Sequence, residues 1–136
     1  MIQKVTLTTI YCTDQQAARD FYVDVLGLDV RADATSDGVR WILVGPKDQP
    51  DLSLMLTLIG PPLTATSADA LRQAVEGGGL STVTFAVDDC EATIDDLRAK
   101  GVEILHEPTT HPLGFEAVAR DSSGNTLVFI QYTNRS

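Results

Sequence analysis

The sequence predicts an α+β fold made of two βαβββ modules facing each other, and two observations carry that prediction. Residues 14–28, DQQAARDFYVDVLGL, place Ala18, Phe21, Tyr22, Val25 and Leu26 at the i, i+3, i+4, i+7, i+8 spacing of one helical stripe. They lie between VTLTTIYC and LDVRA, two stretches with the β-branched content of strands. The same strand-helix order then returns: Asp89 follows Asp14, Ala92 follows Ala17 and Leu97 follows Tyr22 at a constant offset of 75 positions. Gly101 follows Gly27 by only 74, so the second copy is one residue shorter at the helix end. A repeat of this length marks two modules of one chain rather than a solenoid.

The first strand is expected over residues 4–12, with Leu7, Thr9 and Tyr11 on one face and Thr6, Thr8 and Ile10 on the other. Asp14 suits the N-cap of the helix, its carboxylate accepting from first-turn N–H groups. Gly27 suits the stop, where a left-handed backbone costs glycine little. A strand near 28–31, a turn at 35–38, a strand at 39–44, the loop GPKDQPD and a strand at 52–59 complete the first module, residues 1–59. Gly60-Pro61-Pro62 breaks the pattern. Residues 60–79 form a linker with a short helix, SADALRQAVE, capped by Ser67 and ended from Gly77. The second module, residues 80–136, runs through LSTVTFAVDD, CEATIDDLRAKG, VEILHEP, GFEAVARD and DSSGNTLVFIQY. There Val83, Phe85 and Val87 make an apolar row expected under the helix, which turns Thr82, Thr84 and Ala86 toward whatever the sheet encloses.

A chain of 136 residues is the size of a single domain and buries a core without disulfides or metal as staples. Its net charge of −9 argues against nucleic acid and anionic membranes, whose binding needs a basic surface. No apolar run nears the roughly 20 residues of a membrane helix, and MIQKVTLTT is polar and strand-patterned, unlike a signal or transit peptide. The expected location is the cytoplasm. There Cys12 and Cys90 stay thiols and read as small buried hydrophobes rather than catalytic groups.

The pattern Asp14–Ala18–Phe21-Tyr22–Leu26-Gly27 has a counterpart in Asp88-Asp89, Leu97 and Gly101-Val102. With Glu107-Pro108 and the run Asp121-Ser122-Ser123-Gly124-Asn125 before the last strand, it resembles the vicinal oxygen chelate superfamily, the group of glyoxalase I, bleomycin-resistance proteins and extradiol dioxygenases. The resemblance covers nearly the whole chain. It implies that each mixed four-stranded sheet is curled to form a cleft, and that the chain works as a homodimer. Sheet edges and apolar concave faces that one small chain covers poorly point the same way. The resemblance also implies a divalent metal held by four side chains, His, Glu or Gln, from the first and last strand of each module. Carried over, those positions fall on Leu7 and Thr82, on or beside Leu54, and on Val128. Leucine and valine have no donor atom, and Ser53, Met55, Leu127 and Phe129 beside them are no better. Neither metal nor cofactor is therefore expected.

HEPTTH, residues 106–111, separates two histidines by five positions with Pro108 between them, so they cannot share the helical face of a HExxH zinc site. They read as loop histidines. No GxSxG elbow occurs, and Gly77-Gly78-Gly79 lacks the lysine and strand-helix setting of a phosphate loop. What remains is a lining. Thr9, Tyr11, Thr82, Thr84, Val128, Ile130 and Tyr132 are expected to face the cleft beside Leu7 and Leu54. Trp41, Met55, Phe115 and Glu116 are further candidates from strands whose faces the alternation does not fix. An apolar, aromatic lining with a few hydroxyls suits a flat organic ligand.

Two classes of function stay open. One is a metal-free protein of the bleomycin-resistance type that binds, and so sequesters, a small aromatic or polycyclic compound. The other is a lyase, isomerase or dioxygenase of the same superfamily. It would be metal-dependent through displaced ligands such as His106, Glu107, His111 and Glu116, or metal-free with Glu116 as general base.

Overall fold

The computed structural model describes residues 1–133 and shows two compact units, Met1–Arg72 and a second that begins at Gln73. In the first, β1 (Leu7–Cys12), β2 (Asp29–Ser36), β3 (Val39–Gly45) and β4 (Ser53–Leu58) form one sheet in the order β1-β4-β3-β2. In the second, β5 (Ser81–Ala86), β6 (Ile104–His111), β7 (Gly114–Arg120) and β8 (Thr126–Tyr132) repeat that plan as β5-β8-β7-β6. In both, first and last strands pair parallel and the other neighbours antiparallel. The predicted α+β fold of two βαβββ modules with mixed, open four-stranded sheets is what the chain adopts. Among the described residues no helix is long and apolar enough to cross a membrane.

The two main helices start alike. Asp14 caps α1 (Gln15–Asp20), accepting from the Ala17 N–H at 2.9 Å, and Asp89 caps α3 (Cys90–Ala99), accepting from the Ala92 N–H at 3.0 Å. They end alike as well, on left-handed glycines, Gly27 at φ +79° and Gly101 at +84°. Between cap and stop they differ. α1 passes into a π-helical turn, Phe21–Val25, and its closing bond runs from Leu28 N to Tyr22 O, whereas α3 closes from Val102 N to Leu97 O. A π turn holds one residue more than an α turn, which is how the first module accommodates the residue that the second lacks. A Cβ at Gly27 would meet nothing within 4 Å, so Gly27→Val is opposed by backbone conformation alone. It is expected to cost about 1–2 kcal/mol, read from the urea midpoint. An unchanged midpoint would show that the helix stops elsewhere.

The core of each unit lies between its helix and one sheet face. In the first, Ile10, Cys12, Ile42, Val44, Leu54 and Leu56 are buried with Ala18, Phe21 and Tyr22. In the second, Ala117, Ala119, Leu127 and Phe129 are buried with Cys90, Ile94 and Leu97. Val83 and Phe85 share the register of Leu127 and Phe129, and the Phe85 and Phe129 rings stack at 5.6 Å. The apolar row of β5 thus lies on the helix side, as alternation predicts.

Three elements differ from expectation. β2 does not stop near Arg31 but runs to Ser36, because Asp37 and Gly38, both at positive φ, close a two-residue hairpin onto β3. α2 (Ala65–Glu76) starts before Ser67: the Thr64 hydroxyl accepts from the Ser67 N–H at 3.1 Å, so Thr64 is the cap. HEPTTH is not a loop but part of β6, at the sheet edge, with irregular register around His106. An edge strand with bulges tolerates Pro108, since the missing N–H need not belong to the ladder.

Candidate functional site

β3 and β4 pair at Leu43–Met55 and Val44–Leu54, and no further pairing joins them. Toward the start of β3 and the end of β4 the strands part, and a cavity of about 530 Å³ opens there. Gln15, the first residue of α1, fills part of the split: its Nε2 donates to Arg40 O of β3 at 2.9 Å and to Leu56 O of β4 at 3.0 Å. Two strand carbonyls that would otherwise lack a donor are satisfied by one side-chain amide. Because both neighbours are acceptors, the nitrogen and not the oxygen of that amide must face them.

The lining is mainly apolar, with Val39 and Trp41 from β3, Met55 and Leu58 from β4, and Ile59, Pro61 and Pro62 beyond it. Trp41 is 48% exposed, so its indole faces open space rather than core. The cavity's one ionisable side chain, Arg40, is already matched. Its Nε and Nη2 donate to the two Asp33 carboxylate oxygens at 2.9 and 2.8 Å, and Nη1 donates to Gln16 Oε1 at 2.9 Å. These hydrogen bonds are the main reason the Asp33 carboxyl is held below its ordinary pKa, so the pair is ionised at neutral pH. Thr57 also lines the cavity, and its hydroxyl oxygen is buried without a hydrogen-bond partner.

The sequence candidates fall into clear groups. In the first unit Leu7, Thr9 and Tyr11 stand beside Ser53, Met55 and Thr57, and Met55 stands beside Leu43, two residues from Trp41. Leu7, Thr9, Tyr11, Trp41 and Met55 therefore share the sheet face away from the helix. Leu54 does not join them: it is paired with Thr8, one residue out of phase, and is buried with Ile10 on the core face. In the second unit Thr84 pairs with Val128, Glu116 with Ile130 and Gly114 with Tyr132, so those candidates share one face. Phe115 lies on the opposite face and is 41% exposed. Thr82 sits at a bulge, where its hydroxyl donates to Thr126 O at 3.3 Å. Sequence reasoning misses Gln15, Val39, Thr57 and Pro61-Pro62. Val39 and Thr57 were within reach, each two residues from a candidate on the right face, whereas nothing in the sequence marks where two strands part.

Two of the HEPTTH donor residues, Glu107 and His111, are engaged by the protein itself. His111 Nε2 lies 3.2 Å from Glu116 Oε2, His111 Nδ1 accepts from the Leu113 N–H at 3.0 Å, and Glu107 is paired with Arg98 of α3. Among the described residues no three His, Cys, Asp or Glu side chains are grouped to hold a metal ion. Leu7, Leu54, Thr82 and Val128, at the positions where the resemblance puts ligands, bring neither imidazole nor carboxylate. The residues present do not fit that metal. Cys12 and Cys90 are buried thiols, and burial pushes the Cys90 thiol up, away from the reactive thiolate.

The model of the glyoxalase/bleomycin resistance protein/dioxygenase superfamily matches residues 4–129. The chain belongs to this superfamily. Among its relatives, the uncharacterized protein YurT of Bacillus subtilis (strain 168) is 32% identical over 129 residues, which cover 94% of this chain and 98% of that protein. Among solved structures, UcmS2 superposes with a TM-score of 0.90 at 36% identity, covering 96% of this chain and 98% of that one. TnmS3, an antibiotic binding protein from Streptomyces sp. CB03234, gives a TM-score of 0.78 at 30% identity, covering 97% and 98%. This superfamily member thus keeps the fold, with Leu7, Leu54, Thr82 and Val128 at the positions where the resemblance puts ligands.

Proposed function

We propose that the protein binds a small aromatic or polycyclic organic compound in the cavity between β3 and β4, without a metal, and acts by holding that compound rather than transforming it. The observation that carries this reading is the half-exposed indole of Trp41 on an apolar cavity of about 530 Å³. That volume is within the range of pockets that enclose drug-sized ligands, and a flat ring laid on an indole gains both area and ring contact. That TnmS3 is an antibiotic binding protein supports the same class of ligand.

The chain carries one tryptophan, so its fluorescence reports on this cavity alone. Titration with a polycyclic aromatic compound is expected to quench or blue-shift the emission to saturation and to raise Tm as ligand exceeds Kd. Flat titrations across such compounds would remove the proposal. Chelator is expected to change neither Tm nor the titration; a fall in either on chelation would return His106, Glu107, His111 and Glu116 to consideration.

The protein is further proposed to act in the cytoplasm as a homodimer. β1 is a sheet edge, with Leu7 exposed at its start and Val5 exposed just before it, and pairing with a second copy would cover both edge and side chains. Sedimentation at micromolar concentration is expected to show twice the chain mass, and a lone 14.6 kDa species would rule the dimer out.

A further inference from the structure

We infer that the ligand of this cavity is uncharged and carries a hydroxyl group that hydrogen-bonds to Thr57 Oγ1. The inference rests on the aromatic-binding function proposed for the same cavity. Native folds satisfy nearly all buried polar groups, so a buried hydroxyl without a partner calls for an explanation. Thr57 is such a group, and it lines the cavity. It stands beside Tyr11 in the ladder and two residues from Met55, on the sheet face that also carries Trp41. A ring resting on the indole therefore brings its edge to the Thr57 side chain, whose hydroxyl oxygen is buried and reaches the cavity by a turn about the Cα–Cβ bond. A threonine hydroxyl both donates and accepts, and so does a hydroxyl on a ring, so one such group on the ligand meets Thr57 in either sense.

Charge selects in the same direction. Arg40 is the ionisable side chain of the lining, and its charge is already met by the bidentate pair with Asp33 while a third N–H goes to Gln16, so an anion would find only the remaining N–H groups of a neutralised pair. A cation finds no carboxylate in the lining. The net charge of −9 adds a general repulsion toward anions.

Equilibrium dialysis of the full chain against phenanthrol, phenanthrene and phenanthrene carboxylate tests this. Wild-type protein is expected to prefer phenanthrol to phenanthrene about tenfold, the value of one well-made buried hydrogen bond, and to bind the carboxylate weakest. Thr57→Val is expected to weaken phenanthrol alone and abolish the preference, while the Tm of the ligand-free variant holds or rises because the orphan hydroxyl is gone. A merely structural threonine would instead lower Tm and weaken both ring compounds equally, which would overturn the inference. Equal wild-type affinity for phenanthrol and phenanthrene, with Trp41→Ala weakening both, would overturn the hydroxyl contact and leave the aromatic-binding function standing. Tightest binding of the carboxylate would overturn the neutral ligand. No binding of any of the three would overturn both this inference and the function on which it rests.

Discussion

Asp121→Ala is expected to cost about 3 kcal/mol or more of stability, because one carboxylate organises the whole connection from β7 to β8. Asp121 is 7% exposed. Its Oδ1 accepts from the backbone N–H groups of Ser123, Gly124 and Asn125 at 2.9, 3.0 and 2.9 Å, and Oδ2 accepts from Asn125 Nδ2 at 2.9 Å. Ser123 and Asn125 are themselves buried, so alanine would strand donors that water reaches poorly. Hydrogen bonds to a charged group are worth more than neutral ones, and leaving buried donors unmet costs more than the bonds were worth. Asp121→Asn keeps an oxygen for the three backbone donors and should lose roughly half as much. With a urea m-value of about 1–3 kcal/mol/M, the alanine variant's midpoint should fall by about 1 M or more. A fall of under about 0.3 M would mean that water replaces the carboxylate. The same connection is closed from the other side by Gly124, at φ +109°, where a Cβ would sit 2.5 Å from the Val75 carbonyl. That backbone obstacle distinguishes it from Gly27, whose surroundings are empty.

Much of this fold was legible because its punctuation is local. Asp14, Asp89, Gly27 and Gly101 act on backbone groups within their own turn, so their chemistry does not depend on what lies across the molecule. Even the π turn left a trace, as the offset that drops from 75 to 74 between Tyr22 and Gly27, although an offset does not say what form the extra residue takes. What stayed hidden was tertiary. Pro108 marks a loop by ordinary rules, and only the edge position of β6 turns it into a strand residue. Leu54 and Met55 are equally apolar, and a one-residue register choice exchanges core for cavity. Phe115 and Glu116 pose the same choice on β7. The cavity depends on where the β3–β4 ladder stops and on a glutamine brought in from a helix, neither of which periodicity encodes.

Trp41→Ala is expected to weaken binding of a polycyclic aromatic ligand by about thirtyfold or more while changing stability by less than about 0.5 kcal/mol. The two effects part because neighbouring residues of one strand serve different faces: Trp41 is 48% exposed on the cavity, whereas Ile42, next to it, is fully buried in the core. Removing the indole takes away the largest flat surface in the cavity, and the lost area and ring contact amount to about 2 kcal/mol of binding. Truncating Ile42 instead leaves a hole in the core and should cost about 2–5 kcal/mol of stability, so it would affect ligand only by unfolding the protein. The variant lacks the sole tryptophan, so dialysis or calorimetry must replace fluorescence. If Trp41→Ala folds like wild type and binds equally well, the ligand occupies a different surface. If it melts as early as Ile42→Ala, the indole is core rather than site.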